Sequence, residues 1–419
     1  MSKIRNNPNR TEFYETAVSM GFYGNEEASL FGKKDNVRKF WEDMVLKTYC
    51  RPFIEDFLRK HSKITILDLG CGSGEGIELL THIPPSNPKE MVNKNFVLLP
   101  IKIREYYGLD ISPAMITQGR ANYRGKNNFK FEYANLEEGL PPAILNHEPF
   151  NIYFSSYGAL SHLEPDTLES LFRQIFSHAE EDSVFIFDVH GKFSPEWPVH
   201  WKSEKELLPY SMAYLYNKDK REKNKIEWFN ICYWKPADLK MRLKRAAESV
   251  NRKIEISYMH DRSIFVGRHM DTGLLSPVTS QLRYQVNRLI DHGYRGEPKH
   301  LKINLEYLEK YIPENSTFWE KMVNYKNSWN RVIFFLEALL NHKDKRISAF
   351  IESEEIELME DEFKFLAWLF RNSDRFPVAD FWASIIGPQV AMILRNIEMA
   401  YAEAEGIGHG LMCGVKIIK

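Results

Sequence analysis

Between Ile64 and Val189 the chain alternates short apolar runs with amphipathic stretches. Ile64–Leu69, Glu105–Leu109, Phe129–Tyr133, Phe150–Phe154 and Ser183–Val189 have the length and the β-branched or aromatic character of buried strands. Glu75–Thr81, Pro113–Ala121 and Asp166–Ala179 read as the helices between them, and Pro84–Pro88 breaks the first. This alternation predicts an α/β fold: a doubly wound, Rossmann-like parallel sheet covered by helices on both faces. Residues 1–63 read as an N-terminal helical lead-in. Asn36 caps a helix whose apolar positions are Val37, Phe40, Trp41, Met44 and Val45, and Pro52 starts a fresh helix through Phe53, Ile54, Phe57 and Leu58.

Beyond Val189 the texture changes. Tyr210–Tyr216 and Ile226–Trp234 are aromatic runs on either side of the charged stretch Asn217–Lys225, which predicts a β-hairpin insertion over 209–234 with a solvated turn. Ala237–Ser249 reads as a helix, and Ile254–Gly267 as one or two further strands. The last third is helical. Val332, Phe335, Leu336, Leu339 and Leu340 form one stripe; Ile356, Met359, Phe363, Leu366 and Phe370 form another. A third helix starts near Pro388 and ends at Gly406. The expected organisation is a lead-in (1–63), a core (64–271), a large helical C-terminal insertion or cap (272–407) and a terminal strand (408–419).

Charge and cysteine usage narrow the function. Lys and Arg number 56 against 57 Asp and Glu, so the chain lacks the basic excess with which phosphate backbones are usually met, and no nucleic-acid partner is favoured. Cys50, Cys71, Cys232 and Cys413 stand at no metal-ligand spacing, and no metal site is expected. No stretch of about 20 apolar residues occurs, so no membrane span is expected. Met1–Arg10 is polar and lacks a signal-peptide core, which makes the cytoplasm the expected compartment.

The sharpest local signal is Asp68-Leu69-Gly70-Cys71-Gly72-Ser73-Gly74, where a buried strand enters a loop with glycines at alternate positions and a helix follows. Glycine allows a tight turn and lets a ligand touch the backbone, and the first crossover of such a sheet is where nucleotide-like ligands sit. An acidic residue, Asp110, ends the second strand in Tyr107-Gly108-Leu109-Asp110-Ile111-Ser112-Pro113-Ala114-Met115. Asn135 follows the third strand, as an acceptor or as a turn residue. The fourth strand runs into Ser155-Ser156-Tyr157-Gly158-Ala159-Leu160-Ser161-His162-Leu163.

Taken in order, these motifs resemble those of the class I S-adenosylmethionine-dependent methyltransferase superfamily. The resemblance covers Ile64 to about Val189. It implies S-adenosyl-L-methionine as the cofactor, with the glycine loop at its methionine part and Asp110 on both ribose hydroxyls. Asn135 stands where the superfamily often has an Asp facing the adenine amino group. The implied cofactor-binding set is Asp68, Gly70, Gly72, Gly74, Asp110, Ile111, Met115, Asn135, Leu136 and Ser155. Pro84–Ile103 is then an insertion that lengthens the usual gap between Asp68 and Asp110. Leu411–Lys419 resembles the closing antiparallel strand of the superfamily; the rival arrangement closes the sheet with a hairpin of Ile254–His260 and Ser263–His269.

Candidate catalytic residues follow from strand ends. Tyr157 follows the fourth strand, His190 the fifth and His269 the later one; either histidine near its ordinary pKa can take a proton at neutral pH. His162 is more readily a helix-start residue than a base. Trp41 and Arg51 are candidates for an N-terminal lid over the donor, and Arg268 for an acidic acceptor. The expected function is methyl transfer to a small-molecule acceptor at O, N or S. The alternatives are a protein- or RNA-modifying methyltransferase and a non-catalytic partner subunit of the same fold. The acceptor, the pathway and the oligomeric state are not readable from the chain.

Overall fold

The computed structural model describes residues 13–19, 35, 37–86, 96–215, 226–277, 280–291, 296–314, 316–341, 360–401 and 403–418. The Asn36 cap, the charged turn 217–225 with Tyr216, and Ile356 and Met359 lie outside them.

Five parallel strands form the half of the sheet that the alternating pattern predicts: β1 (Ile64–Leu69), β2 (Ile103–Asp110), β3 (Phe129–Tyr133), β4 (Ile152–Ser155) and β5 (Val184–Gly191). Their order is β3-β2-β1-β4-β5, so the chain leaves β1 in one direction and later returns on its other side. That reversal opens a crevice at the carboxyl ends of β1 and β4. Successive side chains of a strand face opposite ways. Ile64 and Ile66 of β1 enter one apolar core, and Leu67 and Leu69 enter another on the opposite face. The helices Pro165–His178 and Pro236–Ser249 cover the second face. The lead-in and the C-terminal helices share the first core with the sheet.

β9 (Gly410–Ile418) lies antiparallel to β5, and β8 (Lys253–Arg262) lies antiparallel to β9 at the edge. The Ser263–His269 arm of the rival hairpin does not form. At Ser263 the backbone turns to φ +59°, and the N–H groups of Ser263 and Ile264 donate to the Glu398 carboxylate, both at 2.8 Å, instead of to a strand. The aromatic hairpin pairs β6 (Leu207–Ser211) with β7 (Trp228–Trp234), and β7 also joins the carboxyl end of β5 through His190 and Gly191. Its first arm is therefore shorter and earlier than the aromatic run suggests: Tyr214 stands in a short turn, Ala213–Leu215.

Two helix expectations change. Pro52 does not begin a new helix; it sits inside Asp43–Lys60. Val45, Leu46, Cys50, Ile54 and Phe57 are buried on both sides of it, and that shared apolar face carries the helix past the one backbone bond a proline removes. The third C-terminal helix spans Gly387–Ala400, stopping short of Gly406. No helix among the described residues is long and apolar enough to cross a membrane.

Candidate active site

A cavity of about 340 Å³ opens at the carboxyl ends of β1, β2, β4 and β5. One end is built by the glycine loop and the ends of β2 and β3. The N–H groups of Gly70 and Cys71 both donate to the Leu109 carbonyl, at 2.8 and 3.0 Å, tying the loop to β2. Gly70 adopts φ +71°, and a Cβ there would stand 2.5 Å from the Ala159 Cβ, so the turn and the close approach both require glycine. Asp110 accepts from the backbone N–H of Gly72 at 2.9 Å and of Ser112 at 2.8 Å. Burial pushes its carboxyl up to about 6 despite those two donors, with Glu15 and Glu75 adding to the rise. Asn135 begins a short turn: its carbonyl accepts from the Glu137 N–H at 3.1 Å and its amide donates to Glu138 at 3.0 Å. Ile111, Met115 and Leu136 supply the apolar lining here.

Of the residues the resemblance marks for the cofactor, Gly70, Gly72, Asp110, Ile111, Met115, Asn135 and Leu136 line this cavity. Asp68, Gly74 and Ser155 do not, and each has another task. Asp68 is buried and accepts from the Tyr106 hydroxyl at 2.5 Å, against a gap left by Gly76; burial raises its carboxyl to about 7. Gly74 makes room for the rings of Tyr123 and Phe131. Ser155 donates to the Leu69 carbonyl at 2.7 Å, and its neighbour Ser156 faces the cavity instead.

The other end is aromatic and basic. Tyr157, His162, His190, Tyr210, Met212 and Tyr214 line it together with Arg38, Arg268 and His409. Tyr157 holds φ +60°; its hydroxyl donates to Asp43 in a short bond, and the Arg38 guanidinium lies 3.0 Å over its ring. His190 is buried, and Gly158 leaves the space its ring fills. Burial, with His409 and His162 near by, holds its pKa well below the usual histidine value, so the ring is neutral at pH 7. His269, unlike His190, does not line the cavity. Its ring packs against Trp197, Tyr210 and Tyr214, its backbone N–H donates to Glu196 in a short bond, and the residue before it, Arg268, reaches the cavity.

Trp41 and Arg51 also fall away from the cavity. The Trp41 indole donates to Glu398 at 2.8 Å and packs on Trp329. The lid side is instead formed by helix Phe13–Ser19. Its Tyr14 hydroxyl lies 3.1 Å from His162 Nε2, and its Glu15 accepts from the Ser112 hydroxyl at 3.1 Å. The segment 272–407 contributes no described lining residue; its Arg283 braces Glu42 from behind at 2.8 Å.

Four positions that the motifs did not mark complete the site: Arg38, Glu42, Glu196 and His409. Glu42 is fully buried beneath the cavity and gathers Arg283, Arg268 at 3.4 Å and Arg262 at 3.7 Å. The signal for Glu42 and Asp43 was an acidic pair inside an apolar helical stripe. For His409 it was a histidine between two glycines at the edge of the terminal strand.

Residues 60–235 match the family model described as a methyltransferase domain. An uncharacterized protein of Methanocaldococcus jannaschii is 23% identical over 213 residues, covering 50% of this chain and 69% of its own length. Among solved structures, an S-adenosylmethionine-dependent methyltransferase from Clostridium acetobutylicum is 16% identical at a TM-score of 0.31, over 50% of this chain and 83% of its own. A second such methyltransferase, from Mesorhizobium loti, is 16% identical at a TM-score of 0.32, over 51% of this chain and 84% of its own. The matched segment spans the five parallel strands, the glycine loop and the hairpin. Residues 60–235 are thus similar to a methyltransferase domain, over the part of the chain that carries the parallel strands and the glycine loop.

Proposed function

We propose that the protein methylates a small-molecule acceptor bound at the aromatic end of the cavity. The carrying observation is that one continuous cavity joins the glycine loop and Asp110 to Tyr157, His190, Tyr210 and Tyr214. Its volume suits small ligands, and the hairpin and the Phe13–Ser19 helix bound it on the acceptor side.

The residues present fit the donor. Gly70 and Gly72 leave backbone exposed where a methionine moiety would lie. The Asp110 carboxylate has lone pairs left for two hydroxyls after its two backbone bonds. Ile111, Met115 and Leu136 offer apolar surface for a purine, with Asn135 at its edge. The donor supplies a methyl group already activated on a sulfonium. The protein's share is alignment and exclusion of water: Tyr157, locked by Asp43 and Arg38, forms a fixed wall, and His190 presents a neutral ring.

Calorimetry with S-adenosylhomocysteine tests the donor end. Asp110→Ala is expected to weaken binding by about 1.5–3 kcal/mol, roughly ten- to 150-fold, because a charge-assisted pair of hydrogen bonds is lost. Unchanged affinity would remove Asp110 from the ribose.

A further inference from the structure

We propose that His409, held by the buried carboxylate of Glu196, is the general base that takes the proton from the methyl acceptor, so that the acceptor atom enters as an O–H or N–H group. The inference rests on the methyl-transfer reading and names a catalytic residue for it.

The geometry is that of an oriented base. His409 stands immediately before β9 and lines the cavity beside His190, with ring centroids 5.1 Å apart. Its Nδ1 is 2.7 Å from Glu196 Oε1. Glu196 is fully buried; its other oxygen accepts the His269 backbone N–H, and the Ser194 hydroxyl lies 3.4 Å from Oε1. Gly267 makes this possible, since a Cβ there would lie 1.9 Å from the same carboxylate. A carboxylate on Nδ1–H fixes the tautomer that leaves Nε2 with its lone pair, and it stabilises the imidazolium once Nε2 has taken a proton. His190 has no such partner: its Nδ1 is buried without a hydrogen bond among the described residues. An oriented carboxylate–imidazole pair therefore selects His409 over His190.

The groups facing His409 agree. Glu196, Glu42, Arg268, Arg262, Arg283, His190 and His269 surround it. Burial, with the three arginines, holds its pKa well below the usual value against the pull of Glu42, so the ring is unprotonated and ready at neutral pH. Burial also lifts Glu196 to about 7, so its charged form prevails above that pH. In the step, the acceptor X–H bond breaks and its proton goes to His409 Nε2. The freed pair on X forms the new X–CH₃ bond. The S–CH₃ pair returns to sulfur, leaving the neutral thioether S-adenosylhomocysteine. A carboxylate acceptor, already deprotonated, would have no use for this pair.

The test is long-range ¹H–¹⁵N spectroscopy of the histidine rings in the full chain saturated with S-adenosylhomocysteine, with His409→Gln assigning the signal. Above neutral pH the ring is expected as the neutral Nδ1–H tautomer, and Glu196→Gln is expected to abolish that preference. Tritiated methyl transfer to phenol and amine probes is expected to fall roughly 10²–10⁴-fold in His409→Gln with S-adenosylhomocysteine affinity retained. An Nε2–H tautomer in the wild type, or a tautomer indifferent to Glu196→Gln, would overturn the proposal while leaving the donor reading intact. Failure of the wild type to bind S-adenosylhomocysteine would instead remove the donor reading itself.

Discussion

Glu42→Gln is expected to lower the free energy of unfolding by about 3–5 kcal/mol, the cost of taking one partner from a buried ionic cluster. Glu42 is 0% exposed and meets Arg283 at 2.8 Å, Arg268 at 3.4 Å and Arg262 at 3.7 Å. Arg262 keeps Asp188 and Arg283 keeps Asp35, but Arg268 has no other carboxylate within ion-pair distance among the described residues. A neutral amide at 42 leaves that guanidinium without an ion-pair partner among the described residues, beside the Tyr214 hydroxyl and the Tyr157 ring. Urea unfolding at pH 7 measures the difference. The pH dependence has a definite sign. Burial alone would raise the Glu42 pKa, but Arg283, Arg268, Arg262 and Arg38 together bring it well below its ordinary 4.5. A depressed carboxylate stabilises the fold above its unfolded pKa and loses that contribution as pH falls through the folded value. The gap between wild type and variant should therefore be full at neutral pH and narrow only below about 4.5. A gap constant down to acid pH would show that Glu42 acts through packing rather than charge.

How much of this was legible in the chain depends on whether the information is local. β1 to β5 are short runs between turn-forming residues; β1, β4 and β5 are buried along their whole length because central parallel strands are covered on both faces, while the edge strand β3 is only partly buried; nothing distant is needed to recognise them. The glycine loop and Asp110 are local too, since one crossover places them together. The missed residues are not local. Glu196 and His409 lie 213 positions apart and meet because β9 inserts beside β5. Arg38 and Glu42 come from a helix that precedes the sheet. A pairing made by topology leaves no spacing in the sequence.

The residues that face away from the cavity do so for a related reason. Asp68, Gly74 and Ser155 sit inside the motifs marked for the cofactor, yet side chains along a strand or loop alternate in direction. Asp68 and Ser155 turn to Tyr106 and Leu69, and the space left by Gly74 serves Tyr123 and Phe131. A motif identifies the loop without saying which of its members face the ligand. His269 was placed by its position after a strand that ends seven residues earlier, and the intervening turn carries Arg268 to the cavity in its place.

That distinction within the glycine loop predicts a separation of effects. Gly70→Ala is expected to cost about 2–5 kcal/mol: a left-handed residue with a Cβ costs about 1–2 kcal/mol, and overpacking a tight site about 1–3 kcal/mol. Both apply, because φ is +71° and the new methyl would stand 2.5 Å from the Ala159 Cβ. Ala159 belongs to the loop after β4, so relief must come from moving either the glycine loop or the Tyr157–Ala159 wall, and both border the cavity. The strain is therefore expected to appear in S-adenosylhomocysteine affinity, by about 30-fold or more, as well as in stability. Gly74→Ala meets comparable crowding, at φ +96° with Tyr123 2.5 Å away, but on the side of the loop away from the cavity. It should lower stability by a similar amount and affinity much less. Gly72→Ala has φ +54° and its nearest neighbour at 3.6 Å, so only the backbone term applies to its stability. Calorimetry and urea unfolding on the three variants give the comparison. Equal affinity losses at Gly70 and Gly74 would mean that the loop responds as one rigid piece, and the division between ligand-facing and packing glycines would fall.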